Sequence, residues 1–94
     1  MQKYENLVIF NASLSDEDKA KMVDKYTAVI EKLKGNVTGV NVWGVKKLAY
    51  PINYKSEGHY VLFEFEGEAN VPNEINALMR IDENVMRNLC LKKN

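Results

Sequence analysis

Residues able to hold a polyanion are few in this chain, and they cluster. Arg80 and Arg87 are its only arginines, and a short connector joins their segments. A planar guanidinium forks onto phosphate oxygens better than an ammonium does. Lys46 and Lys47 are adjacent within WGVKKLAYPI (43–52), and Lys92 and Lys93 close the chain's basic set. The plain alternative for all of them is solvated charge at the ends of secondary-structure elements. Other chemistry has little material. His59 is the single histidine and Cys90 the single cysteine, so no ligand spacing for a metal exists. His59, beside Gly58 at a strand start, reads as a structural or surface residue, since nothing in the sequence supplies a positioned catalytic partner. Cys90 lies between Leu89 and Leu91 and reads as a small packing residue. The five glycines are scattered and form no phosphate-binding loop. No cofactor or metal is expected.

The totals narrow the classes further. Ninety-four residues suit one domain, 1–94, and 46% apolar content covers one sheet with one layer of helices. Acidic and basic residues number 13 each. A neutral chain has no long-range attraction for nucleic acid or an anionic membrane, so such binding must come from a local patch. One cysteine allows no internal disulfide, in keeping with a reducing compartment. The chain starts with polar residues and a short strand-like run, without a signal peptide or an apolar stretch of bilayer length, so the cytoplasm is expected.

Six elements must position these residues. YENLVIF (4–10) is the first strand. Ser15 followed by Asp16, Glu17 and Asp18 supplies an N-cap and acidic residues at the positive end of a helix dipole. Met22, Tyr26, Val29, Ile30 and Leu33 then recur at helical spacing, and Gly35 is a plausible stop. The second strand runs from about Val37 to Tyr50, with Pro51 limiting further pairing. Residues 53–58 form a turn. HYVLFEFE (59–66) is the third strand, with Val61, Phe63 and Phe65 on one face and Tyr60, Leu62 and Glu64 on the other. Residues 70–80 form a helix with Pro72 in its first turn and Val71, Ile75, Leu78 and Met79 on its inner side. Residues 85–93 form the last strand. The order β-α-β-β-α-β predicts an α+β, ferredoxin-like fold: a four-stranded antiparallel sheet with two helices on one face.

In that arrangement the second and fourth strands are edges, and one sheet face carries no helix. Tyr60 and Leu62 fall on that open face. Exposed aromatics of this kind stack single-stranded bases at roughly 1–3 kcal/mol each. GHYVLFEF, however, has Glu57 where an RNA-recognition motif carries a basic residue, and the first strand lacks the second aromatic motif. Parity alone does not fix the facing of the second strand. Val40, Val42, Lys46, Leu48 and Tyr50 share one parity, which on a flat strand places Lys46 among apolar residues; a bulge near Gly44 changes the facing. Trp43 and Leu48 either pack beneath the domain or present apolar surface at the edge. A small enzyme of acylphosphatase type needs an arginine cradle after the first strand, and NASLSDED (11–18) is acidic instead.

Trp43-Gly44, two lysines, then Leu48-Ala49-Tyr50-Pro51-Ile52 strongly resembles the signature of the family of the sixth protein of the bacterial small ribosomal subunit. Tyr4-Glu5, Gly58 with Tyr60, and LMRIDENVMRNLCLKK (78–93) resemble other segments of that family, so the likeness spans essentially the whole chain. It implies a non-enzymatic, cytoplasmic ribosomal protein of ferredoxin-like fold. It further implies binding to the central domain of small-subunit ribosomal RNA during assembly, as a heterodimer with the basic eighteenth protein of the subunit, S-eighteen. On this resemblance the RNA contacts are Lys3, Tyr4, Arg80, Arg87 and Lys92. The partner contacts are Trp43, Lys46, Lys47, Leu48 and Tyr50, with the two lysines also guarding the edge against wrong pairing. Asp82 and Met86 stand where some relatives carry basic residues, which shifts the RNA footprint toward Arg80, Arg87 and Lys92. The chain ends at Asn94 without the acidic tail of some relatives, so no function tied to that tail is expected.

Overall fold

A computed structural model describes residues 2–52 and 55–93, and the side chains of these except at 49–52 and 55. The elements are β1 (Gln2–Asn11), α1 (Asp16–Lys32), β2 (Asn36–Ile52), β3 (Lys55–Gly67), α2 (Asn70–Arg80) and β4 (Val85–Lys93). The sheet order is β2-β3-β1-β4 with every neighbouring pair antiparallel. β2 and β4 are therefore the edges, as the sequence predicts. Strand β3 begins earlier than expected: residues 55–58 belong to it, with Lys55, Glu57 and Gly58 paired to β2, instead of forming a turn, while Asn53 and Tyr54 lie outside the described residues.

Period-two alternation places Tyr4, Asn6, Val8 and Phe10 of β1 and Val61, Phe63 and Phe65 of β3 beneath the helices. Met22, Tyr26 and Ile30 of α1 and Val71, Ile75 and Met79 of α2 close over them. Each fully buried large side chain among these contributes roughly 1.5–3 kcal/mol through removal from water. Of Leu78 and Met79, both expected on the inner side of α2, Met79 is buried as expected and Leu78 is 40% exposed. Two buried positions among the described residues are polar, His59 and Asn6. Asn6 is fully buried, its amide donates to the Met79 sulfur at 3.5 Å, and its carbonyl oxygen has no partner.

Helix α1 starts as its sequence dictates. Ser15 sits in extended backbone and its hydroxyl accepts the Asp18 amide at 3.1 Å, a cap worth about 1 kcal/mol. Its end differs from expectation. Lys34, not Gly35, takes the left-handed conformation, at φ +68°. The Lys34 amide bonds the Glu31 carbonyl at 3.0 Å and the Gly35 amide bonds the Ile30 carbonyl at 2.9 Å. This is a Schellman closure with a lysine in the position where glycine is strain-free.

Candidate nucleic-acid and partner interface

The face of the sheet opposite the helices is built in cross-strand rows. Residues with open-face parity in β1, β3 and β4 are fixed by the pairings Ile9↔Tyr60, Ile9↔Arg87, Leu7↔Leu62 and Leu7↔Leu89. Strand β2 joins them through an irregularity. Val42 pairs with Val61 but Gly44 pairs with Tyr60, so Trp43 is an extra residue in the ladder. Gly44 has φ +86°, and a Cβ there would meet nothing within 4 Å. Its backbone, not its surroundings, requires glycine. The bulge reverses the parity of the strand. Val40 and Val42 lie on the helix side, Lys46 and Leu48 move to the open face, and Lys46 no longer shares a face with the two valines.

One row therefore spans all four strands, roughly 14 Å wide at the spacing of neighbouring strands: Arg87, Ile9, Tyr60 and Gly44 are register partners, and the bulged Trp43 ends the row by stacking on Tyr60. Trp43 is 45% exposed, and its ring lies nearly parallel to Tyr60, with centroids 6.3 Å apart and planes at 9°. Lys46 Nζ sits 5.4 Å from the centre of the Trp43 ring, a cation–π contact worth about 0.5–1 kcal/mol at an exposed site. At the other edge Arg87 borders a depression of about 200 Å³ with Leu7, Ile9, Asn88 and Leu89. The next row, Asn41, Leu62, Leu7 and Leu89, is largely apolar, and Leu89 is exposed. The far end of the face is charged. Lys3 lies between Glu66 and Lys93, and Glu5 between Glu64 and Leu91. Lys93 Nζ pairs with Glu64 Oε1 at 3.3 Å. This charged end lies six positions along β4 from Arg87, roughly 20 Å at strand rise.

The structure gathers Trp43, Lys46 and Arg87 on this face and disperses other expected contacts. Tyr4 is corrected to a core residue: it faces the helices, is 7% exposed, and its ring stacks on Phe65 at 5.6 Å. It has no free face for a base. Leu48 is likewise corrected from exposed partner surface to packing. It is 8% exposed because it covers the bare backbone of Gly58, where its Cδ2 lies 3.4 Å from the place a Cβ would occupy. Lys47 falls on the helix side of the β2 edge, opposite Glu57. Lys92 pairs with Tyr4 and shares its side. Arg80 is exposed at the end of α2. The side chain of Tyr50 lies outside the described residues.

The connector between the two arginines is held by groups that sequence reasoning assigned elsewhere. Asp82 Oδ2 accepts the Tyr26 hydroxyl at 2.6 Å and Lys25 Nζ at 3.1 Å, while Oδ1 accepts the Asn84 amide at 2.9 Å. Burial works to raise the Asp82 carboxyl, but the bonds from Tyr26, Asn84 and Lys25 outweigh it, so the group titrates below its ordinary value. Burial and the bond to Asp82 push the Tyr26 phenol upward. Only long-range geometry joins these residues, and no local motif signals them. His59 faces the core, with Nδ1 unpaired. Burial, then the nearby Lys19 charge, lower its pKa, and Asp16 opposes them. Burial also raises the Cys90 thiol. Among the described residues no group of three or more acidic, histidine or cysteine side chains could hold a metal ion, and no helix is long and apolar enough to cross a membrane.

Known proteins match nearly the whole of this chain. A sequence model described as Ribosomal protein S6 matches residues 3–92. The small ribosomal subunit protein bS6 of Clostridium novyi is 44% identical over 87 residues, covering 93% of this chain and 92% of that protein. Its counterpart in Clostridium acetobutylicum is 41% identical over 91 residues, covering 97% and 96%. The crystal structure of 30S ribosomal protein S6 from Thermotoga maritima superposes with a TM-score of 0.93 at 24% identity, covering 98% of this chain and 87% of that one, which supports the fold. The chain thus belongs to the ribosomal protein S6 family, structural, non-enzymatic components of the small ribosomal subunit in the cytoplasm.

Proposed function

We propose that residues 1–94 act as one domain that binds the central domain of small-subunit ribosomal RNA as a heterodimer with the basic protein S-eighteen. The observation that carries this reading is the open-face row Trp43, Tyr60, Ile9, Arg87. It has aromatic and apolar surface at the β2 edge and a guanidinium at the β4 edge. A neutral chain neutralises too few phosphates to hold RNA alone, because affinity grows with the number of phosphates paired. A basic partner seated on the Trp43–Tyr60 edge, with Lys46 and Lys47 at its border, supplies the missing charge. Arg87 then meets the RNA backbone beside it, with Arg80 and Lys92 contributing from the β4 side. Lys3 contributes less than its charge suggests, since Glu66 lies opposite it and Glu5 and Glu64 share its face.

Binding of the purified chain to a central-domain RNA fragment, with and without the partner and across salt concentrations, tests the reading. Weak binding alone and tight, salt-dependent binding with the partner are expected. A Trp43→Ala variant should weaken partner docking first, and Arg87→Ala should lose RNA affinity with the partner still bound. Equal binding of arbitrary single strands by the chain alone would overturn it and point to Tyr60 and Leu62 as a stacking platform.

A further inference from the structure

The four residues between Arg80 and Arg87's strand decide how the two arginines are spaced, and they are tied down at nearly every step. The Asp82 amide donates to the Met79 carbonyl at 3.3 Å, and the Val85 amide donates to the Asp82 carbonyl at 3.1 Å. The Asn11 amide, at the end of β1, donates to the Asn84 carbonyl at 2.8 Å. The Asp82 carboxylate accepts from Tyr26, Lys25 and the Asn84 amide, and its side chain is only 9% exposed. Connectors between helices and edge strands are ordinarily the looser parts of a domain. This one is anchored at once to α1, α2 and β1.

A carboxylate two residues from an RNA-facing arginine is the wrong charge for binding a polyanion. Its partners explain its presence: a single side chain satisfies three donors from two parts of the chain and fixes the connector's path. We propose that Asp82, held by Tyr26 and Lys25, is a positioning residue that pre-organises Arg80 and Arg87 for the ribosomal RNA backbone. The proposal rests on the reading above that these arginines meet RNA. Without the lock, binding must order the connector at the moment of association, which lowers affinity without removing any phosphate contact.

Salt titrations of RNA affinity, with the partner present, separate the possibilities. Tyr26→Phe keeps the ring and removes only the hydroxyl. Asp82→Asn removes a negative charge, so the field alone predicts tighter binding while lost positioning predicts weaker. The expected result for both variants is a fall in affinity of roughly fivefold to thirtyfold, the scale of ordering about one residue of backbone on binding, with the salt slope unchanged. Arg80→Ala and Arg87→Ala should each lower affinity and reduce the slope by about one. Amide exchange at Asn84 and Val85 should accelerate in Tyr26→Phe, which reports the lock directly even if one variant folds poorly. Normal affinity for folded Tyr26→Phe and Asp82→Asn, beside weakened arginine variants, overturns the positioning role alone. Unchanged affinity in the arginine variants overturns the RNA footprint and the positioning role together.

Discussion

Gly58→Ala puts the packing of the open face to a quantitative test. Gly58 lies between Asn11 and Lys46 in the sheet, and Ile9 and Leu48 close over its bare backbone. An added methyl would run into Cγ2 of Ile9 and rest against Leu48 Cδ2 at 3.4 Å. Overpacking of this kind costs roughly 1–3 kcal/mol. Alanine regains about 0.5–1 kcal/mol through its smaller loss of backbone freedom in a strand, so the net destabilisation is about 0.5–2 kcal/mol. An unfolding entropy of about 2.1 cal/mol/K per residue over 94 residues is about 200 cal/mol/K. Each kcal/mol then moves Tm by about 5 °C, and the expected loss is about 2–10 °C.

The cause is checked with a double-mutant cycle. Ile9→Ala removes the colliding methyl, and in that background Gly58→Ala should become neutral or stabilising, a coupling of about 1 kcal/mol or more. Urea denaturation followed by far-UV circular dichroism and by fluorescence gives the numbers. Trp43 is the sole tryptophan and stacks on Tyr60, so its emission reports this face. Coincident curves license two-state analysis. Equal effects of Gly58→Ala in both backgrounds, within about 0.5 kcal/mol, would refute the proposed collision.

Two further outcomes follow from the geometry. Lys34→Gly should stabilise the protein by about 0.5–1 kcal/mol, because a left-handed lysine carries backbone strain that glycine lacks; an unchanged or lower urea midpoint would contradict the Schellman assignment. For His59 the folded pKa lies below the ordinary 6.5, so the unfolded chain binds the proton more readily and stability falls as pH drops below about 6.5. A Tm series from pH 7.5 to 5 should show that slope in the wild type and a flatter one in His59→Gln, whereas parallel slopes would exclude His59 as the source; Asp82, with its lowered pKa, loses its contribution only at more acidic pH.

Much of the architecture was legible because it depends on local periodicity. Alternation in 59–66 assigned Val61, Phe63 and Phe65 to the core, and the Ser15 cap with its acidic first turn marked the start of α1. Misreadings arose where one residue's step decides a facing. Leu78 and Met79 are both compatible with an inner stripe, and the contact with the sheet selects Met79. The family likeness makes Tyr4 an RNA contact, whereas its register with Phe65 turns it under the helices. Gly35 carries the residue type of a helix stop, yet Lys34 adopts the conformation.

By itself the sequence determined the order of elements, the edge position of the WGVKKLAYPI strand, the neutrality of the chain, and family membership through a motif of fixed spacing. These are properties of neighbouring residues and of totals. Tertiary structure alone decided that the bulge at Trp43 and Gly44 turns Lys46 and Leu48 to the open face, that Leu48 is consumed in covering Gly58, and that Trp43, Tyr60, Ile9 and Arg87 form one row. It alone joined Tyr26 to Asp82, 56 residues apart, at 2.6 Å. Register and bulges are set by pairing between distant strands and by the volumes that must fit between them, and neither quantity is present in any short window of the chain.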